Sequence, residues 1–375
     1  MTGGRAAVQL DVRIVRDPAT GVGRYLVRLL DEIGGLAPAD LTVTAVGRLD
    51  QTSLSAAVPM WRLAGRAGRS TPLGLVQQLV LRQALRHQPC DLYHYPNLDV
   101  PPVASRKVVA TCYDLEPLRH PELFSRKIVL FYRLLARRLR RVDRVITISE
   151  STARDVHEFL GIPRERITPV HLGVDPRFSP ASVAERRRVI DRYGLPPRFV
   201  LYVGNTMPHK NVGRLVEALS QVRRSHPDVA LVLGGAPDKH RVAVEETVSR
   251  FGLSTAVRFI GKVPEDDLPG VLSSATVFAF PSLYEGFGLP VLEAMACGTP
   301  VVTSNRSSLP EVVGDAALMV EPTDIEALTT ALCAVIDDAS HAASLGARGV
   351  ARAAQFTWRR CAEAHLQVYR EVLAT

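Results

Sequence analysis

Apolar positions along this chain follow two rhythms. Short runs of β-branched and aromatic residues alternate with longer stretches in which apolar residues recur every three to four positions, a pattern that predicts parallel strands covered by amphipathic helices. Val8–Val15 reads as a strand, followed by a loop over residues 16–23 and a helix from Arg24 to about Ile33. Lys107–Thr111 and Arg144–Ile148 read as strands, the second leading through Ser149 and Ser151, both suited to N-capping, into a helix. The rhythm then resets. A turn-rich segment around Leu172–Asp175 and Pro180 precedes a helix over about Ala184–Tyr193 that stops at Gly194. A second strand series follows: Phe199–Val203, Val229–Leu233, Val257–Ile260, Thr276–Phe280 and Pro300–Thr303. A last helix spans about Trp358–Leu373. The expected organisation is therefore two doubly wound α/β domains, residues 1–180 and 181–357, with a terminal helical segment over 358–375.

Length supports that division, because 375 residues at 46% hydrophobic composition exceed what one core usually holds. No apolar run approaches the roughly 18 residues a membrane span needs, and the first residues resemble no secretory leader, so a cytoplasmic protein is expected. Five scattered cysteines without C-x-x-C spacing read as reduced thiols rather than as disulfide or zinc positions. Charge is uneven: residues 1–180 hold 26 Lys and Arg against 17 Asp and Glu, although the whole chain is only +8. Arg133, Arg137, Arg138, Arg140, Arg141 and Arg144 crowd one helix-patterned stretch. That stretch fits either a solvated helix face or contact with an anionic membrane surface or polyanionic substrate. Nucleic acid is not the expected partner, since no aromatic residues interleave with the arginines.

Candidate chemistry lies in three loops. In P-S-L-Y-E-G-F-G-L-P-V-L-E-A, beginning at Pro281, a strand ends, glycines follow, and Pro290 suits the first turn of a helix. Backbone N–H groups of residues 286–291 and the positive end of the helix dipole then converge where a phosphate fits. Glu285 and Glu293 frame this cradle, and a carboxylate beside a diphosphate is best used on sugar hydroxyls: Glu285 on the transferred sugar, Glu293 on the ribose diol. The same residues also fit a glycine turn with ordinary helix-start acids. In the second loop, Gly204–Asn211, Lys210 sits at a strand's carboxyl end, where ligands of open α/β sheets bind. A lone lysine there is commonly just solvated; next to the cradle it suits the charge of a departing diphosphate. The third loop, Asp17–Tyr25, imitates G-x-G-x-x-G incompletely, with Leu26 in place of the last glycine, and supports no dinucleotide site.

With those residues in view, the chain resembles the family 4 retaining glycosyltransferases (glycosyl transferases group 1), most closely their mannosyltransferase-B-like branch. Glu285–Glu293 matches the family's E-x7-E signature, and Y-V-G-N-T-M-P-H-K-N (Tyr202–Asn211), S-S-L-P-E-V-V-G-D-A-A (Ser307–Ala317), T-G-V-G-R-Y, I-T-I-S-E-S-T, H-L-G-V-D and V-R-F-I-G-K-V follow in family order. The resemblance implies a GT-B fold, two Rossmann-like domains facing a central cleft, with the last helix crossing back to the first domain. By position it implies catalytic roles for Glu285 and Lys210. Donor contacts would come from Asn205, His209, Lys210, Lys262, Gly286, Phe287, Gly288, Leu289 and Glu293, with Gly21 and Gly23 closing on the phosphates from the opposite domain. Tyr113 and Asp114 would lie on the acceptor side.

The expected reaction is transfer of a sugar from a nucleotide donor (GDP-mannose, or a UDP- or dTDP-sugar) to a glycan, lipid-linked or small-molecule acceptor, with no cofactor and no metal. Retention is implied by the resemblance; metal independence is read from Lys210 and the helix amides. Two departures stand out. Tyr113 occupies the place of a family histidine in T-x-H-D-L, and His209 that of a common arginine. They keep a second reading in view, a catalytically weak nucleotide-sugar sensor or partner subunit.

Overall fold

The computed structural model describes residues 5–15, 21–48, 54–63, 90–98, 100 and 107–375. The expected Asp17–Thr20 portion of the first loop lies outside them. The chain divides into two units, Met1–Gly173 together with Thr357–Thr375, and Val174–Phe356. The division thus falls at Gly173 rather than after residue 180, and Val174 donates its N–H to the Phe356 carbonyl at 3.0 Å, both residues lying in the second unit.

In the first unit the strands are β1 (Ala6–Asp11), β2 (Leu41–Arg48), β3 (Met60–Leu63), β4 (Leu92–Tyr95), β5 (Lys107–Cys112), β6 (Arg144–Thr147) and β7 (Ile167–Pro169). They form one parallel sheet in the order β3-β2-β1-β4-β5-β6-β7. Among the described residues its α-helices are α1 (Gly21–Leu36), α2 (Glu116–Arg119), α3 (Arg126–Ala136), α4 (Glu150–Leu160) and the terminal Trp358–Ala374. β1 ends at Asp11, short of the expected Val15, because Arg13 closes back on the Asp11 carboxylate through its own N–H at 3.0 Å and its Nη2 at 2.6 Å. Gly21 and Gly23 belong to the first turn of α1 instead of a loop. Ser149 caps α4 by accepting the Thr152 N–H at 3.0 Å, whereas Ser151 lies inside the helix. The basic stretch expected as one helix breaks: α3 gives way to a 3₁₀ turn over Arg137–Arg141, and Arg144 opens β6.

In the second unit the strands are β8 (Phe199–Val203), β9 (Ala230–Gly234), β10 (Val257–Gly261), β11 (Val277–Phe280), β12 (Val301–Ser304) and β13 (Leu318–Val320), again all parallel, in the order β10-β9-β8-β11-β12-β13. The helices are α5 (Val183–Tyr193), α6 (Val212–Ser225), α7 (Arg241–Arg250), α8 (Leu268–Ser274), α9 (Leu289–Ala296), α10 (Leu309–Val313), α11 (Ile325–Asp337) and α12 (Ala339–Ala353); the terminal helix of the first unit is α13. α5 starts on a capping box, Ser182 with Glu185, and stops at Gly194 in the left-handed conformation (φ 58°). β8 and β11 bury nearly every side chain, as strands covered on both faces must.

α13 packs into the first unit through buried Trp358, Cys361, His365, Leu366 and Tyr369. Tyr25 of α1 meets His365 at 2.7 Å, and His94 of β4 meets Tyr369 at 2.7 Å and Thr111 of β5 at 2.8 Å. These side chains are 0–1% exposed, so their polar atoms depend on one another and, for His365 Nδ1, on the Cys361 carbonyl for their hydrogen bonds. Among the described residues, no helix is long and apolar enough to cross a membrane.

Candidate active site at the switch point of the second sheet

In the second sheet the chain order reverses between β8 and β11, whose neighbours on either side are β9 and β12. In an open α/β sheet this reversal sends the following loops to opposite faces and leaves a crevice at the strands' carboxyl ends. Both candidate loops start there: Gly204–Lys210 from β8 and Pro281–Gly288 from β11.

The loops are tied together. Leu283 donates its N–H to the His209 carbonyl at 2.7 Å, and Asn211 donates through Nδ2 to the carbonyls of Pro281 (3.0 Å) and Pro322 (2.6 Å). Asn211 sits in the left-handed region (φ 61°), which asparagine tolerates, and there it separates the 3₁₀ turn Pro208–Lys210 from α6. On the other side, Glu285 donates its N–H to Ser307 Oγ at 2.8 Å. Ser308 Oγ lies 3.0 and 2.8 Å from the carbonyls of Glu285 and Phe287, a bifurcated donor fixing the glycine loop.

Lys210 and Glu285 consequently meet, Nζ to Oε1 at 2.6 Å, with side chains 14% and 10% exposed. The ammonium also stands 5.4 Å from the centroid of the Phe280 ring, which stacks on Tyr202 at 5.6 Å. Tyr202 is fully buried and donates to the Asn205 carbonyl at 2.6 Å; burial, then the Glu285 and Asp238 carboxylates, push its phenol well above the ordinary tyrosine range. The pair therefore has a rigid aromatic floor supplied by two adjacent strands. Half-screened from water, a charge pair of this kind acts more strongly on a bound ion than the same groups in bulk solvent.

Further along, Thr206 is held by Asp238, which accepts its N–H at 2.6 Å and its hydroxyl at 2.8 Å. Against the opposing effect of partial burial, those bonds and the one from the His240 N–H hold the Asp238 carboxyl below the usual range. The ends of β8, β9 and β10 are laced by Gly204 N–H to Gly234 O (2.9 Å) and Gly235 N–H to Gly261 O (2.8 Å). A Cβ on Gly235 (φ 151°) would lie 2.0 Å from the Gly204 carbonyl oxygen. Gly235→Ala is expected to destabilise the second unit by roughly 3 kcal/mol or more, through backbone strain and displacement of the Lys210 loop. Urea unfolding checks this, and a wild-type midpoint would disprove the packing argument.

The helix mouth is narrower than expected. Gly288 (φ 108°) caps α9, where a Cβ would meet Leu309 Cδ2 at 2.7 Å. The Val291 N–H, expected to face a ligand, instead bonds the Gly288 carbonyl at 3.0 Å, and Pro290 has none to offer. Gly288 and Leu289 stand at the start of α9, and Phe287 just before them is 3% exposed. Glu293 lies one turn in and is 6% exposed, and His209 is 7% exposed. Asn205 and Lys262 are exposed, Lys262 following β10 at the far edge of the sheet.

The remaining sequence candidates belong to the first unit. Gly21 is exposed and Gly23 buried in the first turn of α1, where N–H groups lack partners within the helix itself. Tyr113 crosses Tyr25 edge to face at 5.7 Å, and its hydroxyl is buried with no hydrogen-bond partner. Burial, then the neighbouring Cys112, raises its phenol well above the ordinary range, so it stays protonated at any physiological pH. Asp114 turns back to accept the Glu116 N–H at 3.4 Å. Among the described residues, no three His, Cys, Asp or Glu side chains converge as metal ligands.

The sequence pattern assigns no role to Ser307, Ser308, Asn211 or Asp238. Their partners lie far along the chain, and the only local sign was a polar residue beside a strand end.

Sucrose-phosphate synthase from Thermosynechococcus elongatus superposes with a TM-score of 0.80 at 24% identity, over 99% of this chain and all (100%) of that one. Together with the two parallel sheets, this defines the architecture as the α/β GT-B fold of glycosyltransferases. The family model described as Glycosyltransferase Family 4 matches residues 19–178, and that described as Glycosyl transferases group 1 matches residues 186–352. O-antigen chain mannosyltransferase B from Escherichia coli is 31% identical over 374 residues, covering 95% of this chain and 97% of the relative. The serotype-specific mannosyltransferase WbdA of the same organism is 30% identical over 276 residues, 71% of this chain but 34% of its own length. The chain belongs to glycosyltransferase family 4, group 1, on its mannosyltransferase-B-like side.

Proposed function

We propose that this glycosyltransferase moves a hexose, with mannose the first candidate, from a nucleoside diphosphate sugar to an acceptor hydroxyl, with retention at the anomeric carbon and without a divalent ion or other cofactor. The observation that carries the reading is the Lys210–Glu285 pair, 2.6 Å apart at the switch point of the second sheet. In this reading a donor diphosphate displaces Glu285 as the partner of Lys210, and the carboxylate turns to the sugar hydroxyls. The bond between the anomeric carbon and the diphosphate oxygen then breaks with its electron pair going to the phosphate. Lys210 and the start of α9 stabilise that growing charge without reorganising, the role a metal ion would otherwise fill. The acceptor oxygen attacks from the same face, and its proton passes to the departing phosphate. Mannose is favoured because both relatives described above are named mannosyltransferases. Their names also favour a glycan acceptor in surface-polysaccharide assembly, ahead of a lipid-linked or small-molecule one.

GDP-mannose, UDP-glucose and a dTDP-sugar are to be compared by thermal shift. A donor at a hundred times its Kd stabilises the folded chain by about 2.7 kcal/mol, enough to raise the melting temperature measurably. GDP-mannose is expected to give the largest rise, transfer is expected to survive EDTA, and proton NMR of the product is expected to show the donor's anomeric configuration. No shift with any donor, activity abolished by EDTA, or an inverted product would each refute the corresponding part.

A further inference from the structure

We infer that Arg13 binds the acceptor, its Nη1 donating to an uncharged oxygen of the acceptor sugar, a hydroxyl or ring oxygen, at the switch point of the first sheet. The inference rests on the transfer reaction proposed above. In the order β3-β2-β1-β4-β5-β6-β7 the chain reverses between β1 and β4, so their carboxyl ends frame the crevice in which such a sheet takes its ligand. Asp11 is the last residue of β1, Arg13 lies in the turn beyond it, and Tyr93 of β4 donates its hydroxyl to the same carboxylate at 2.6 Å. The second sheet holds an ion pair of its own, Lys210 with Glu285, at the corresponding point.

Almost every polar group of Arg13 is engaged. Nε lies 3.0 and 3.1 Å from the two Asp11 oxygens and Nη2 lies 2.6 Å from Oδ2, a forked grip on the carboxylate. The backbone N–H goes to Asp11 Oδ1 at 3.0 Å, and the carbonyl accepts from Arg48 Nη1 at 3.1 Å. Nη1 is the exception: it has no hydrogen-bond partner among the described residues, although the side chain is only 2% exposed. A buried donor left unmade costs stability, and a guanidinium clamped through its other nitrogens cannot turn to repair the loss. An ion pair that served only to brace the strand end would not need that N–H2 group there. Asp11 also decides which partner suits it. The carboxylate already balances the guanidinium, and an anion brought to Nη1 would be repelled by it across a short, water-poor distance, whereas a hydroxyl or ring oxygen would not. Because Nη1 is shut off from water, the acceptor oxygen meets it as the crevice opens to take the ligand, and the bond then forms in a medium where its loss is costly.

NMR of the full chain carrying isotope-labelled arginine reads Nη1 directly. Its protons should exchange slowly with solvent, are identified by their proximity to the Tyr93 ring, and should be missing from Arg13→Lys. Mannotriose serves as the neutral probe and a mannose phosphate as the anionic one. Mannotriose is expected to shift the Nη1 signals, a response that a bracing role would not give, and the phosphate at equal concentration is not. In steady-state transfer, Arg13→Lys should raise the mannotriose KM by about tenfold or more while the donor KM moves far less, as loss of a buried hydrogen bond from a charged group predicts. The lysine keeps a cation beside Asp11, and thermal unfolding verifies the fold of the variant; if it does not fold, the wild-type spectra decide by themselves. The inference is overturned if mannotriose leaves the Nη1 signals unmoved, if only the phosphate moves them, or if Arg13→Lys transfers to mannotriose with the wild-type KM. Any of these alongside a normal thermal shift with the nucleotide sugar strikes this inference alone. No donor shift and no transfer would strike the reaction itself, and this inference with it.

Discussion

Lys210→Ala is expected to lower kcat by about 10²-fold or more, and Glu285→Gln by a comparable factor, as loss of a preorganised charge at a leaving group generally does. The two substitutions act on different partners, which their kinetics should separate. In the proposed reaction Lys210 opposes charge that is largest when the diphosphate departs, so its removal should fall mainly on kcat. Glu285 would there grip hydroxyls present in both substrate and transition state, so Glu285→Gln should also raise the donor KM. Because a bound donor separates the two side chains and each then acts on its own group, their effects on kcat should roughly add, whereas their effects on stability, through the shared 2.6 Å contact, should not. Alanine at 210 also leaves the Glu285 carboxylate without its cation at a site only 10% exposed, and part of the stability loss should be recovered in the double variant. Steady-state kinetics on proteins of verified fold test this. Near-normal turnover by either single variant would falsify the assignment of the site.

The same pair shows how far the sequence reaches. Lys210 and Glu285 are 75 positions apart, and what made them legible was that each follows a strand whose run of buried apolar residues is unmistakable. β8 begins and ends where the apolar run does, and β11 is displaced by one residue at its start, so the loops at their carboxyl ends were placed correctly. Glycine misled in the first unit. Gly21 and Gly23 read as loop, yet the first turn of α1 accepts them because helix propensity is a weak preference once Tyr25, Leu26 and Leu29 are buried. β4, L-Y-H-Y, carries a histidine and two tyrosines and hides its strand character, since His94 is buried only through partners on β5 and α13. Ser307, Ser308 and Asn211 share that limitation. Their hydrogen bonds run 22, 23 and 70 positions along the chain, and local pattern does not encode such partners. The basic stretch was legible as charge but not as geometry, because the break at Arg137 turns some arginines inward and leaves others on α3.

The buried histidines should make the first unit acid-sensitive well above the range where carboxylates titrate. An unfolded imidazole has a pKa near 6.5, while burial holds His365 at about 4, only partly offset by the Cys361 carbonyl that its Nδ1 meets. His94 is likewise pushed well below 6.5, by burial first and then by the neighbouring His365. The groups around them, Tyr25, Tyr369, Thr111 and Cys361, carry no negative charge to stabilise an imidazolium, because burial raises both phenols and the thiol. Both histidines are therefore neutral in the fold. Above about pH 6.5 neither state binds the protons and stability is full; as pH falls from there toward about 4, the unfolded chain takes up protons that the fold refuses, and stability is lost. His365 alone accounts for roughly 3 kcal/mol across that interval. The chain's 2 tryptophans, Trp61 and Trp358, both belong to the first unit, so their fluorescence in urea reports that unit's unfolding by itself. The wild-type midpoint should fall clearly between pH 7 and pH 5, and His365→Gln, less stable at pH 7, should show a flatter dependence. Parallel slopes for the two proteins would mean that His365 does not stay neutral in the fold.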